Sequence, residues 1–180
     1  MIGTILDASP DVDKYRVYVF EDESDASLMA SRDATPKLST WRPIRVRTFD
    51  EKGGKRKPIA DISGMVGLTL FSERAYEVTH PLLKGCGEFL PFICGSQRLW
   101  GFNVTRLIDC LDENASELVR FPSTGRVMDV RTYVFQDVGD LGVCIFGIPQ
   151  FKGIRTYSTE ATRDLFTDHG LTGMSFRKLR

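Results

Sequence analysis

Two histidines, His80 and His169, and four cysteines, Cys86, Cys94, Cys110 and Cys144, are the sparse reactive groups in this 180-residue chain. Nucleophilic catalysis needs a nucleophile, a base to take its proton and a group to stabilise the developing charge. Cys86 and His80 are the nearest cysteine–histidine pair in sequence, although such partners meet in space rather than along the chain. Each histidine stands at the end of an expected helix, where capping or the negative end of the helix dipole accounts for it. The sequence has no C-x-x-C pair and no H-E-x-x-H, so it shows no zinc-ligand spacing. G-x-S-x-G and G-x-G-x-x-G are absent as well. The 24 carboxylates leave a glycosidase-type pair open. Asp109 and Asp112 would share one face at i,i+3 if their segment were helical. No cofactor, metal site or catalytic residue is expected from these patterns.

The same carboxylates have a second use, in recognition. Glu21, Asp22, Glu23 and Asp25 form one acidic cluster, and Asp109, Asp112 and Glu113 form another. Such a cluster is either a solvated loop or a patch that steers a cationic partner and speeds encounter. The charge is also divided along the chain. From Asp7 to Asp25 there are seven acidic and two basic residues; from Arg32 to Lys57 there are nine basic and three acidic. The run Lys52-Gly53-Gly54-Lys55-Arg56-Lys57-Pro58 could touch phosphates by releasing counterions. It lacks interleaved aromatics and Walker A spacing, and it reads as an exposed loop.

The elements that would position these groups are mostly strands. Gly87 to Ser116 is the organising stretch. Phe89, Leu90, Phe92 and Ile93 form one apolar run, and Leu99, Trp100, Phe102 and Val104 form another. Gly95-Ser96 between them predicts a turn, because glycine takes positive φ cheaply and serine bonds local backbone. Pro91 has no N–H for a ladder, so its strand is expected at an edge or bulged. The segment after it is expected to be a capped helix start, or a loop packed by Leu107, Ile108 and Leu111. Alternation predicts strands at Tyr15–Phe20, Pro43–Phe49 and Val130–Phe135, with shorter ones near Glu117–Phe121, Ile154–Tyr157 and Met174–Leu179. Val143–Phe146 is continuously apolar, as in a central buried strand. One helix is expected from Ser72, ending near His80 or kinking there because Pro81 disfavours helical geometry before it, and a second over Thr159–Phe166. Short connections between strands favour antiparallel pairing. The expected fold is α+β: a largely antiparallel sheet with about two packed helices.

Length and composition suit one domain over residues 1–180, able to bury a core without disulfides or metals. Twelve phenylalanines predict a ring-rich core or an aromatic binding surface. Net charge is zero, which argues against nucleic acid as a partner. No apolar run approaches the ~20 residues of a membrane helix. The N-terminus lacks the basic n-region of a signal peptide, so a cytoplasmic protein with free thiols is expected.

In order along the chain, FSERAYEVTHPLL, GEFLPF, WGFNVTRLIDCLDENAS, YVF, IFGIP and YSTEATRDLFTDHGLTGMSF form a string of motifs. Between about Leu68 and Phe176 this string resembles immunity family eleven of the bacterial polymorphic-toxin systems, formerly a domain of unknown function. The resemblance implies a family-like α+β core over residues 61–180, with residues 1–60 as a variable strand and loop region. It also implies a partner: a cognate toxin, encoded by a neighbouring gene and neutralised by binding. The acidic residues Glu21, Asp22, Glu23, Asp25, Asp109, Asp112 and Glu113 would suit a basic toxin cleft. The basic stretch Arg42–Lys57 would suit an acidic one. The alternative from the residues alone is a small cytosolic enzyme with a carboxylate or cysteine site in a sheet-face pocket.

Overall fold

The computed structural model describes residues 3–29, 33–49 and 56–179. Among them the fold is α+β, with strands outweighing helices and antiparallel pairing dominant. A barrel holds β2 (Val17–Phe20), β3 (Ile44–Phe49), β4 (Ile62–Met65), β5 (Leu68–Ser72), β6 (Gly87–Cys94) and β7 (Gln97–Val104). Its strand order is β2-β3-β6-β7-β5-β4, closed by a parallel bridge between Tyr18 and Met65. A separate antiparallel sheet has the order β10-β11-β1-β12, from β10 (Ile145–Phe146), β11 (Tyr157–Thr159), β1 (Ile5–Pro10) and β12 (Met174–Lys178). A bulged ribbon of β8 (Glu117–Arg120) and β9 (Val127–Thr132) completes the strands. The helices are α1 (Glu73–Leu83) and α2 (Glu160–Asp168).

Strand alternation divides the apolar side chains into two cores. Tyr18, Phe20, Ile44, Val46, Leu90 and Phe92 fill the barrel. Phe71, Phe89 and Phe102 point outward from it, onto α1, α2 and the four-stranded sheet. There Phe71 meets Phe89 edge-on at 5.4 Å and Phe166 of α2 at 6.3 Å. The phenylalanine-rich composition therefore goes largely into rings packed on rings. The organising hairpin folds as its sequence predicts, with Gly87↔Val104 through Cys94↔Gln97 in continuous register. Gly95 at its turn has φ +58°. Gly101 faces the barrel interior, where a Cβ would stand 2.2 Å from Leu68 Cδ2 and 2.5 Å from Phe92 Cε2.

Several expectations are corrected. Pro91 is neither at an edge nor bulged, since β6 lies between β3 and β7. The pairing with β3 begins only at Phe92, so the ladder on that flank has not started at the proline. Pro81 lies inside α1, which runs on to Leu83. That leucine is fully buried, and its packing outweighs the one bond lost to the proline in the last turn. For the segment after β7 the loop reading holds and the helix start does not: it is irregular, with Leu111 in the core, Ile108 packed against it and Leu107 more exposed. Leu107 and Leu111 make isolated bridges to Gly147 and Phe135. Of Val143–Phe146, Cys144, Ile145 and Phe146 are buried and Val143 only partly, and the run is not central: only Ile145 and Phe146 pair, and they form an edge of their sheet. Their burial comes from the core beneath. The strand expected over Val130–Phe135 starts and ends earlier, and the one expected over Ile154–Tyr157 lies at Tyr157–Thr159. β1, which the alternation did not reveal, occupies an interior position between β11 and β12.

Candidate functional site

The acidic cluster near the N-terminus is a built structure. β2 ends at Phe20, and a 3-10 helix, Glu23–Met29, follows. Glu21 donates its N–H to the Arg45 carbonyl of β3 at 3.1 Å. Asp22 accepts the Ser24 N–H at 2.9 Å, and the bonds from Ser24 hold its carboxyl below the usual range. Asp25 turns inward. It is 6% exposed and pairs with Arg42 at 2.5 Å. One carboxylate of the cluster thus pins the turn, while Glu21, Asp22 and Glu23 stay exposed. Among the described residues, these three make no ion pair.

The division of charge along the chain has a structural counterpart here. β2 and β3 pair antiparallel, Phe20 opposite Val46, so the acidic end and the basic strand are neighbours. Arg45 and Arg47 face solvent, as alternation predicts for the outer face of β3. Farther on, Lys57 donates to the Val12 carbonyl at 3.0 Å and its own carbonyl accepts from Arg16 at 2.7 Å. Lys52–Lys55 of the expected basic loop lie outside the described residues. By sequence Arg42 is one charge in a basic stretch. Nothing local in the sequence marks it as the partner of a residue seventeen positions earlier.

The second acidic group is used differently. Asp109 and Asp112 do not share a helix face, because no helix forms there. Asp112 Oδ1 accepts the N–H groups of Asn114 and Ala115, each at 3.0 Å, an Asx-type turn that competes with helix. Glu113 accepts from Arg120 at 2.6 Å and Gln150 at 2.9 Å, and the Gln150 and Arg120 bonds lower its pKa. Asp109 is exposed. Two of these three carboxylates therefore hold the fold's own loops.

A cleft of about 820 Å³ opens where β1 and β12 meet the barrel and the residues around Tyr133 and Arg155. Arg155 donates to Asp129 and to the Tyr133 hydroxyl, both at 2.7 Å, and lies over the Phe151 ring. Burial, then the bond with Tyr133, pushes the Tyr157 phenol up, so it stays protonated and acts as a hydrogen-bonding group rather than a base. Asp7 is the carboxylate among the described lining residues, and Arg177 pairs with it at 3.0 Å. The cysteines lie elsewhere. Cys86 meets Cys144, with their sulfur atoms 3.0 Å apart. His80 packs on the rings of Tyr76 and Phe89, and His169 Nδ1 lies 2.9 Å from the Leu165 carbonyl at the end of α2. Among the described residues no group of three or more histidine, cysteine, aspartate or glutamate side chains could hold a metal. No helix there is long and apolar enough to cross a membrane.

No protein-family model matches the chain, and no curated protein matches it.

Proposed function

We propose that the chain is an immunity protein, one that binds a cognate bacterial toxin in the cytoplasm and neutralises it by protein–protein contact. The observation that carries this reading is the pinned acidic turn. Three carboxylates, Glu21, Asp22 and Glu23, are exposed and make no ion pair among the described residues, on a turn that the buried Asp25 holds in place through its pair with the exposed Arg42. A patch ordered before the encounter loses less entropy on binding, and its charge favours a basic partner surface. The motif string from Leu68 to Phe176 gives the partner its class. The Asp109–Glu113 segment supports the reading less, because Asp112 and Glu113 are already bonded within the chain.

The test is affinity capture of the tagged chain from its source cells, followed by calorimetry with the purified partner. One stoichiometric partner with a toxin-like C-terminal domain is expected. The triple variant E21Q/D22N/E23Q should bind it about tenfold more weakly, because it removes all three exposed charges that complement a basic partner surface. Capture that fails from cells shown to make the neighbouring gene product would sink the toxin reading. The case would then pass to a small enzyme using the cleft. A partner bound equally well by the triple variant would keep the toxin and move the interface.

A further inference from the structure

We infer that Cys86 and Cys144 are a redox modification site: a dithiol that peroxide converts into a reversible intramolecular disulfide. Cys86 closes the connection between α1 and β6, and Cys144 directly precedes β10; they are 58 positions apart in sequence, with their sulfurs 3.0 Å apart. Each backbone is fixed independently. The Cys86 N–H donates to the Leu83 carbonyl at 2.8 Å, and its carbonyl accepts from the Arg106 N–H at 3.0 Å. Cys144 donates its N–H to Thr162 Oγ1 at 2.9 Å, and its carbonyl accepts from the same hydroxyl at 2.9 Å. The two sulfurs are thus held together by the fold. Closing to the ~2.0 Å of a disulfide is a movement of about 1 Å.

The pair is chemically unequal. Hydrogen bonding between the two sulfurs brings the Cys86 thiol down, against the effect of burial and with help from the Ile145 N–H and Arg106. The same bond, with burial, pushes Cys144 up. A thiolate beside a thiol is the arrangement in which one sulfur attacks and the other resolves. Both sulfurs are buried, but Arg106, an exposed residue, reaches Cys144 Sγ at 3.5 Å, so the pair lies one side chain beneath solvent.

The reaction balances with hydrogen peroxide as oxidant. The Cys86 thiolate attacks one peroxide oxygen; an S–O bond forms, the O–O bond breaks, and hydroxide leaves as water after taking a proton. Cys144 then attacks the Cys86 sulfur as its own proton departs. The S–S bond forms, the S–O bond breaks, and a second water leaves. Two thiols supply the two electrons that reduce the peroxide.

The site stands independently of the toxin reading and is tested on the whole folded chain. Protein treated with hydrogen peroxide while folded is then denatured and alkylated, and its intact mass and peptide map are read. The expected result is loss of two of the four alkylatable thiols, a Cys86–Cys144 cross-linked peptide, and full recovery with dithiothreitol. Cys94 and Cys110 are internal references: burial pushes both thiols up, Cys110 to about 11, so both should remain alkylatable. In Cys144→Ser the reaction should stop at a Cys86 sulfenic acid that a cyclic dione traps. The inference is overturned if all four thiols survive the treatment, if Cys86 goes to sulfinic acid while Cys144 stays free, or if Cys94 or Cys110 is consumed first. Should the variant fail to fold, the wild-type peptide map decides alone.

Discussion

Asp61 shows how much one side chain can hold together in this chain. Its carboxylate accepts from Thr172 N–H at 3.0 Å, from Thr172 Oγ1 at 2.9 Å and from Arg74 at 3.0 Å, while Arg74 also reaches the His169 carbonyl. One carboxylate therefore ties the start of α1 to the loop after α2. Burial alone would raise its pKa, but the bonds from Thr172 and Arg74 outweigh burial and hold it below the usual range. The folded pKa is the lower one. The stabilisation is therefore present above the unfolded value of about 4 and disappears as pH falls through the folded value. Asp61→Asn should cost about 1–3 kcal/mol in urea unfolding at neutral pH, since it weakens a largely buried acceptor. The gap between variant and wild type should narrow as pH falls below the unfolded value and through the lower folded one, where the wild-type carboxylate is protonated. A gap independent of pH would mean that the contribution is not electrostatic. Sequence reading had no access to this residue's role, because Thr172 lies 111 positions away.

At the scale of elements, the β6–β7 hairpin depends on a missing side chain. Gly101 stands where Leu68 and Phe92 close the barrel interior, and a Cβ there would come within 2.2 Å and 2.5 Å of them. Phe92 is 1% exposed and cannot swing into solvent. Gly101→Ala should therefore overpack the barrel and cost about 1–3 kcal/mol, read as a lowered urea midpoint with an unchanged m-value. An unmoved midpoint would show that the barrel yields freely at this layer. The hairpin itself was legible because all its determinants are local: two apolar runs, a glycine that takes positive φ, and a two-residue separation. Both helices were legible for the same reason, with Ser72 and Thr159 accepting from Ala75 and Thr162 as N-caps. β1 was not legible. ILDASP has weak alternation and ends in proline, and it is a strand because β11 and β12, some 150 and 170 positions away, flank it. The acidic candidates divide along the same line. Their charge could be read, but Asp25 facing Arg42 is a product of tertiary placement, whereas Asp112 bonds only the backbone two and three positions on, a local turn.

Over the whole molecule, the N-terminal third closes both sheets. β1 lies between β11 and β12, and β2 with β3 spans the gap between β4 and β6 in the barrel. Residues from Leu68 on, on which the proposed immunity reading draws, hold β5 through β12 but neither closure. Ile5, Leu6, Tyr18, Ile44 and Val46 are all buried side chains contributed by this third. At about 1.5–3 kcal/mol for each large side chain, they amount to on the order of 10 kcal/mol. A domain's whole stability is about 5–15 kcal/mol, so their removal is comparable to everything that holds the fold. Deletion would also bare the paired edges of β11, β12, β4 and β6, which invites association. A chain of residues 61–180 should accordingly lose its cooperative urea transition and become readily cleaved by protease, whereas the full chain unfolds in one transition. A cooperative transition in the fragment would mean that the second core, around Phe71, Phe89 and Phe166, is sufficient alone. The first sixty residues would then be free to vary as a partner-facing attachment. If the fragment fails to fold, variation in the first sixty residues is confined to their solvent face, which carries Glu21, Asp22, Glu23, Arg45 and Arg47. On the proposed reading, partner specificity would then reside on β3 and the turn after β2, beside the strands that close the barrel, and a change in one must be tolerated by the other.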